Sequence, residues 1–319
     1  MKPRIYVTRA LPTLSLDLLK EHFEIDINTE DRVLEKSEII QNIKDKEALL
    51  CLLTDTIDKS VIDAGRHLKV ISNYAVGFNN IDIKAANARK IPVCITPGIL
   101  TEATADLTWA LILAVTRRIV EADTYLREGH FTGWGPNLFL GAELSGKTLG
   151  IVGMGRIGQA VARRAIGFNM QIMYTAHSDK NIAEARFVTL KELLQTADIV
   201  TLHTPLTPET EHLIGSEQFK LMKKSAFLIN TTRGPVVDEK ALLHALTHQD
   251  IAGAGLDVFE NEPQVTPGLI DLKNVVLLPH IGSATVETRT NMAKLAVENA
   301  IAIIQGKKPH AIANPEVLQ

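Results

Sequence analysis

Two kinds of hydrophobic pattern alternate along this chain. Short apolar runs, typical of buried strands, are separated by stretches in which apolar residues recur at helical spacing. In the first part, strands are predicted at Arg4–Thr8, Glu24–Ile27, Ala48–Leu53, Val70–Asn73 and Pro92–Ile95, and helices at Leu14–His22, Lys36–Ile43 and Ile83–Ala88. Strands that alternate with helices predict a parallel sheet with right-handed crossovers.

A second alternation begins at Thr148. It predicts strands at Leu149–Val152, Gln171–Thr175, Ile199–His203, Ala226–Asn230, Ala254–Val258 and Val275–Leu278, and helices at Gln159–Ile166, Leu190–Gln195, Ser216–Leu221 and Glu239–Thr247. Six predicted strands of this kind are typical of a doubly wound nucleotide-binding domain. The pattern therefore predicts an α/β protein with two doubly wound parallel-sheet domains, and an active cleft is expected between them.

The segments outside these alternations have patterns of their own. Thr101–Arg118 is apolar around most of its circumference, which predicts a buried helix placed to join the domains. Tyr125–Gly146 is rich in glycine and aromatic residues and weakly periodic, so it is predicted to be a loop over another surface, with a subunit contact as one interpretation. Ala284–Gln305 carries apolar residues at helical spacing and is predicted to be the last helix.

Length and composition narrow the class of protein. A chain of 319 residues suggests two domains, and a net charge of −3 creates no global field that would attract nucleic acid or a membrane surface. The longest apolar run, Trp109–Val115, is too short to span a bilayer, and the N-terminus lacks the apolar segment of a signal peptide. Cys51 and Cys94 lie in strand-like runs, so buried free thiols in a reducing cytoplasm are expected rather than a disulfide.

A glycine motif marks the start of the second alternation. Gly153, Gly155 and Gly158 form G-x-G-x-x-G directly after a predicted strand, with Arg156 and Ile157 inside the motif, and the predicted helix at Gln159–Ile166 follows. In this context the glycines permit a tight turn, a close approach of backbone to a pyrophosphate, and packing of helix on strand. The free N–H groups of the helix would bind the phosphates. The alternative is a turn that merely needs glycines.

Several longer motifs carry a family resemblance. They are NYAVGFNNID at Asn73–Asp82, TPGILTEATADL at Thr96–Leu107, GKTLGIVGMGRIGQAVARR at Gly146–Arg164, LINTTRGPVVDEKAL at Leu228–Leu242, AGAGLDVFENEP at Ala252–Pro263 and LPHIGSAT at Leu278–Thr285. In combination they resemble the D-2-hydroxyacid dehydrogenase family, and within it the glyoxylate/hydroxypyruvate reductases most of all.

The resemblance implies how the domains are assembled. Residues 1–100 and 285–319 would form a flavodoxin-like substrate domain, and residues 101–284 a Rossmann cofactor domain. It also implies a homodimer, with the helix at Thr101–Arg118 central to the interface, and no metal. Trp134 is expected to pack at that interface; a reach into an active site is the alternative.

The family's catalytic triad falls on Arg233, Glu262 and His280. Arginine binds a carboxylate bidentately and can polarise the adjacent carbonyl, while histidine can donate a proton to the oxygen on which charge builds. Glu262 would orient the imidazole and stabilise its protonated form. Taken singly, these residues could equally be a turn cap, a solvated loop carboxylate and a core histidine. All three, however, lie just beyond predicted strand ends, where open α/β sheets bind ligands.

Further positions are implied by the resemblance. For the substrate these are Leu53 as a pocket wall and the backbone N–H groups of Val76 and Gly77, beside Arg233. For the cofactor they are Thr104, Thr231, Asp257 and Gly282 near the nicotinamide, and Pro205 and Thr210 near the adenosine. A plain turn or core role is the alternative at several of them.

The choice between NAD and NADP depends on the end of the second strand of the cofactor domain. An NAD enzyme needs an acid there to bind the ribose 2′-hydroxyl, but the family's acidic position falls on Ala176. His177, Ser178 and Lys180 could donate to a 2′-phosphate. Asp179 is the counterargument, since an acid about twenty residues after the glycine motif is typical of NAD enzymes. NADPH is therefore the expected cofactor, with NAD as the alternative.

The sequence thus predicts a reductase that transfers a hydride from NADPH to a small 2-oxo acid, such as glyoxylate or hydroxypyruvate, to give the D-2-hydroxy acid. Another chemistry of the family, such as 3-phosphoglycerate oxidation, is one rival. The resemblance to formate dehydrogenases is weaker, because those enzymes typically have glutamine at the position of Glu262. A dinucleotide-sensing binding protein, similar to the corepressors that share this fold, is the rival from another class.

Overall fold

The chain divides into two compact units. The computed structural model describes residues 2–319, and their side chains except those of residues 13 and 14. Unit 1 comprises the chain up to Leu100 together with Ala284–Gln319, and unit 2 comprises Thr101–Ser283. Within residues 2–319, no helix combines the length and the apolar character needed to cross a membrane.

Strands and helices alternate through most of the chain. In order they are β1 (Arg4–Val7), α1 (Thr13–His22), β2 (Glu24–Ile27), α2 (Lys36–Asn42), β3 (Ala48–Cys51), α3 (Lys59–Ala64), β4 (Val70–Asn73), α4 (Ile83–Ala88), β5 (Val93–Cys94), α5 (Thr101–Thr116), α6 (Ile119–Arg127), β6 (Thr148–Val152), α7 (Arg156–Gly167), β7 (Gln171–Thr175), β8 (Ala185–Phe187), α8 (Leu190–Thr196), β9 (Ile199–Leu202), α9 (Ser216–Leu221), β10 (Phe227–Asn230), α10 (Glu239–Thr247), β11 (Gly253–Leu256), β12 (Val275–Leu277) and α11 (Val286–Ile304).

Unit 1 is built on a five-stranded parallel sheet in the order β2-β1-β3-β4-β5. The last helix, α11, packs on this sheet beside α1 through Ala293, Ala296 and Val297. The sequence pattern missed α3, which is only six residues long. Its signal was a cap: the Asp58 carboxylate accepts the N–H groups of Ser60 and Val61 at the start of the helix.

Unit 2 is built on a seven-stranded parallel sheet in the order β12-β11-β10-β9-β6-β7-β8. The two-domain α/β expectation is confirmed, but the prediction of six strands here is wrong by one. β8 is a short edge strand whose Arg186 and Phe187 are exposed, so it has no apolar run to reveal it. β7 and β9 flank β6 on opposite sides, so the direction in which successive strands are added to the sheet reverses beside β6. Open α/β sheets bind ligands at such a point.

The segment after Thr101 corrects one prediction. α5 is a buried helix that packs on α7 and on β10 and β11 of the same unit. The expected loop at Tyr125–Gly146 begins in fact with the last turn of α6, and residues 128–147 then contain neither helix nor strand. α6 escaped notice because its apolar residues, among them Val120 and Leu126, are exposed rather than packed in a core.

Cys51 and Cys94 are both buried free thiols, as predicted. Burial raises the pKa of both, to about 12 for Cys94.

Candidate active site

The glycine motif forms a tight turn between β6 and α7. Gly153 has φ of +98°, and a Cβ there would lie 2.6 Å from the His203 carbonyl oxygen. A Cβ at Gly158 would lie 2.2 Å from the Gly153 carbonyl oxygen, so this helix start packs directly on the turn. At Gly155 a Cβ would meet no described atom within 4 Å. The backbone is therefore open at the one glycine where a ligand must approach.

The N-terminus of α7 fits a bound phosphate. Its N-cap residue, Gly155, makes no side-chain cap, so the first N–H groups keep their capacity to bind an anion. Arg156 is exposed on the first turn, and Ile157 is partly buried beside it.

Two polar atoms beside this turn were missed by sequence reasoning. Among the described residues, His203 Nδ1 and Thr204 Oγ1 are buried without a hydrogen-bond partner, directly after β9. His203 Nε2 bonds with the Thr201 hydroxyl at 2.9 Å, and burial lowers the pKa of His203 to about 3, so the ring is neutral. Buried polar groups without partners are rare and commonly meet a ligand or water. The turn, the open helix end and these atoms together fit a dinucleotide.

A second hydrogen-bonded cluster lies after β11. The Asp257 carboxylate accepts the N–H groups of Ile281 and Gly282 at 2.7 and 2.8 Å, and the Thr104 hydroxyl donates to the Gly282 carbonyl at 3.1 Å. Thr231 is buried, and its hydroxyl bonds with that of a neighbouring α5 threonine at 3.0 Å. Burial raises the pKa of Asp257, although the two N–H groups oppose this. The four cofactor positions expected near a nicotinamide are thus brought together.

Glu262 and His280 form the centre of the candidate active site. Their side chains meet at 2.9 Å, between His280 Nδ1 and Glu262 Oε2, and the other carboxylate oxygen accepts the Phe259 N–H at 3.1 Å. Burial acts to raise the pKa of Glu262, but the hydrogen bond and charge of His280, the Phe259 N–H and the charge of Arg233 lower it below its ordinary value. His280 has φ of +54°, and its N–H donates to the Asp257 carbonyl at 2.9 Å.

Arg233 lies beyond the carboxyl end of β10, with its guanidinium close enough to Glu262 for their charges to interact. Nη1 donates to the Thr232 carbonyl at 2.7 Å, and Asn230 Nδ2 donates to the Arg233 carbonyl at 3.1 Å. Burial lowers the pKa of Arg233, opposed by the negative charge of Glu262. A guanidinium, a carboxylate and an imidazole therefore lie together at the edge of one sheet.

The segments after β7 and β9 hold the other expected cofactor positions. Ala176 directly follows β7 and is partly buried, whereas His177 and Ser178 are exposed. After β9, the Thr210 hydroxyl donates to the Pro205 carbonyl at 2.6 Å, which closes the loop between them. Thr210 therefore stabilises this loop, and Pro205 is the more exposed of the two.

In unit 1, the three expected substrate positions follow adjacent strands. Leu53 lies in the turn after β3 and is partly buried. Val76 and Gly77 lie in the turn after β4, where Asn73 Nδ2 donates to the Gly77 carbonyl at 2.9 Å. Since β3 and β4 are parallel neighbours, these residues occupy one edge of that sheet.

Comparison with known proteins identifies the family that the chain resembles. Residues 109–282 match the family model described as D-isomer specific 2-hydroxyacid dehydrogenase, NAD binding domain. A glyoxylate reductase of Thermococcus kodakarensis is 48% identical over 100% of this chain and 98% of the relative. A glyoxylate reductase of Korarchaeum cryptofilum is 50% identical, with the same two shares covered, 100% and 98%.

Solved structures are similar over nearly the whole chain. The TT0316 protein of Thermus thermophilus has a TM-score of 0.93 at 47% identity, covering 97% of this chain and 99% of that chain. An NADPH-dependent glyoxylate/hydroxypyruvate reductase of Sinorhizobium meliloti, solved with NADP and malonate, has a TM-score of 0.90 at 33% identity, covering 98% and 97%. The chain belongs to the D-isomer specific 2-hydroxyacid dehydrogenase family and is an NAD(P)-dependent enzyme of that type.

Proposed function

We propose that this enzyme reduces a small 2-oxo acid, glyoxylate or hydroxypyruvate, to the D-2-hydroxy acid with NADPH. The observation that carries the proposal is the hydrogen bond of 2.9 Å between His280 and Glu262, with Arg233 nearby. Relatives described as glyoxylate reductases support the substrate class.

Each member of the triad has a distinct task in this proposal. The planar guanidinium of Arg233 binds the substrate carboxylate and polarises the neighbouring carbonyl oxygen. Protonated His280 donates its Nε2 proton to that oxygen, since Nδ1 is engaged by Glu262. Glu262 stays ionised near neutral pH because its pKa is lowered, and it holds the imidazole in orientation. A bound reduced nicotinamide would supply the hydride to the carbonyl carbon.

The remaining contacts are assigned by the same reasoning. The backbone N–H groups of Val76 and Gly77 bind the substrate carboxylate, and Leu53 borders its side chain. Asp257 accepts from the nicotinamide carboxamide, with Thr104, Thr231 and Gly282 around the ring. Pro205 and Thr210 border the adenosine.

The preference for NADPH is supported by the segment after β7. With Ala176 at its start, no carboxylate opposes a 2′-phosphate there, and His177, Ser178 and Lys180 are exposed donors. The Asp179 carboxylate is engaged elsewhere, because it accepts from the Tyr174 hydroxyl and from the Asn181 N–H at 2.8 Å. Asp179 therefore holds the turn together, which weakens its claim as a ribose ligand.

One charge acts against this preference. The pKa of Glu209 is lowered, first by the Thr207 side chain and also by the charge of His177, so Glu209 and His177 interact. A carboxylate this close competes with a phosphate for the imidazole.

A homodimer is proposed from the surface of unit 2. The segment from α6 to residue 140 exposes large apolar side chains, with Trp134 85% exposed; the others are Ile119, Val120, Leu126, Phe131, Leu138 and Leu140. Beside α6 lies a groove of about 1160 Å³ that extends to β12. Exposed apolar side chains concentrated along one segment are typical of interaction sites, and a second copy of the chain is the proposed partner.

A substrate panel tests the proposal. Glyoxylate, hydroxypyruvate, pyruvate and 3-phosphohydroxypyruvate should each be assayed with NADH and NADPH. Glyoxylate or hydroxypyruvate with NADPH should give the highest kcat/KM. If 3-phosphohydroxypyruvate gave the highest kcat/KM, the proposed substrate would be wrong. If NADH gave higher kcat/KM values than NADPH, the proposed cofactor would be wrong.

A further inference from the structure

Glu239 is a buried acidic residue that the catalytic scheme does not use. It is the first residue of α10 and only 2% exposed. Its neighbour Asp238 already caps the helix, accepting the Ala241 N–H at 3.0 Å. Among the described residues no cation pairs with Glu239. Because burial of an unpaired carboxylate is costly, its hydrogen bonds must account for its position.

Both carboxylate oxygens of Glu239 hold one loop, residues 259–266. Oε1 accepts the Glu260 N–H at 2.5 Å, and Oε2 accepts the Thr266 hydroxyl at 2.5 Å. The contact is reciprocal, since the Glu239 N–H donates to Glu260 Oε2 at 3.3 Å. The other oxygen of Glu260 lies 2.7 Å from His212 Nε2, which ties the loop to a further segment. The loop is thus held at both of its ends.

Glu262 lies between these two points of attachment. The same loop packs directly on the turn that carries Arg233, because a Cβ at Gly234 would lie 1.8 Å from the Phe259 carbonyl carbon. Only glycine permits that approach. The position of Glu262 therefore depends on a grip by Glu239 and on contact with the Arg233 turn.

We propose that Glu239 is a positioning residue that holds the 259–266 loop so that Glu262 meets His280. This inference rests on the proposed function only for the catalytic role of that pair. A carboxylate suits the task because one rigid group accepts two hydrogen bonds and brings together loop positions six residues apart.

The test compares Glu239→Ala with Asp238→Ala, which removes the cap of the same helix and leaves the loop contacts in place. With Glu239→Ala we expect kcat to fall about tenfold, with the KM for NADPH within about twofold of wild type. The pH profile of the reduction rate should also change, because Glu262 loses its fixed position beside His280. The charged groups around the pair, namely Asp257, Arg233, Glu260 and His212, are unchanged in this variant. Asp238→Ala should cost stability and leave kcat and the pH profile alone.

A double-mutant cycle separates positioning from general damage. If Glu239 acts through Glu262, Glu239→Ala combined with Glu262→Gln should be no slower than Glu262→Gln alone. Rate losses that multiply would overturn the proposal. If Glu239→Ala fails to fold, Thr266→Val removes the hydroxyl that donates to Glu239 and should show a smaller loss in the same pattern. Wild-type kcat and pH profile in Thr266→Val would also overturn the proposal.

Amide hydrogen exchange gives a readout that needs no turnover. Exchange at residues 259–266 should be faster in Glu239→Ala than in wild type, and unchanged there in Asp238→Ala. Equal exchange in Glu239→Ala and wild type would refute the proposal that Glu239 holds the loop. If exchange is faster in Glu239→Ala but the wild type reduces no 2-oxo acid, the proposed function is wrong and the positioning of the loop by Glu239 still holds.

Discussion

The carboxyl edges of the two parallel sheets differ in their chemistry. The edge of the unit 2 sheet holds Arg233, Glu262 and His280, joined by hydrogen bonds and charge interactions. The candidate substrate positions at the edge of the unit 1 sheet are an apolar side chain, Leu53, and the backbone at Val76 and Gly77. Similar sheets thus support unlike tasks, because fold alone does not set function. Substitutions of the triad in unit 2 should chiefly change the rate of the reaction, and those at the unit 1 edge should chiefly change substrate fit.

The largest effect is expected from His280→Ala. Loss of a general acid typically lowers a rate by about 10² to 10⁴-fold, so kcat for reduction should fall at least a hundredfold, with NADPH binding retained. Stopped-flow and steady-state rates would measure both. Wild-type kcat in this variant would assign the proton to another group.

The same pair sets the pH dependence. Reduction consumes a proton and oxidation of the hydroxy acid releases one, so the rate of reduction should fall as pH rises and the rate of oxidation should rise. Glu262→Gln should lower the rate of reduction and change its pH profile, because the imidazole of His280 loses the carboxylate that holds it. If the pH profiles of kcat for wild type and Glu262→Gln coincide, Glu262 has no role in catalysis.

Arg233→Lys should follow in size. Lysine keeps the charge and loses the planar fork, so kcat/KM for glyoxylate should fall more than tenfold while NADPH still binds. Fluorescence titration with NADPH provides the control for folding and cofactor binding. An unchanged kcat/KM would remove Arg233 from the substrate site.

Ala176→Asp should alter cofactor choice without touching the triad. A carboxylate there would repel a 2′-phosphate and reach a 2′-hydroxyl, so the NADH-to-NADPH ratio of kcat/KM should rise by about tenfold, or about 1.4 kcal/mol. Glu209→Gln should change the ratio in the opposite direction, because His177 loses its competing partner. A wild type that already prefers NADH would end the NADPH assignment and restore Asp179 as the ribose ligand.

The smallest effect is expected from Leu53→Ala in unit 1. It should change KM for hydroxypyruvate by roughly threefold, change KM for glyoxylate less, and leave kcat near wild type, because it alters fit and removes no charge. Steady-state constants for the two acids decide this. A loss of kcat comparable to that of Arg233→Lys would contradict the contrast between the two edges.

Elements with strong local signals were predictable from the sequence, and those defined by tertiary contacts were not. β7, α9 and α10 have the bounds that their apolar patterns predict, whereas β8 was missed because an exposed edge strand need not be apolar. The glycine turn was readable because Gly153 and Gly158 have steric reasons within the fold, and Gly155 leaves the backbone open to a ligand. His203 and Glu239 were not: a histidine that ends a strand and an acid in the first turn of a helix look ordinary until burial and partners are known.

The catalytic role of His280 is tested most directly by the reduction of hydroxypyruvate with NADPH in wild type and His280→Ala, with the configuration of the product determined. We expect D-glycerate from the wild type and a rate at least a hundredfold lower from the variant. Formation of L-glycerate, or equal rates from the two proteins, would contradict it.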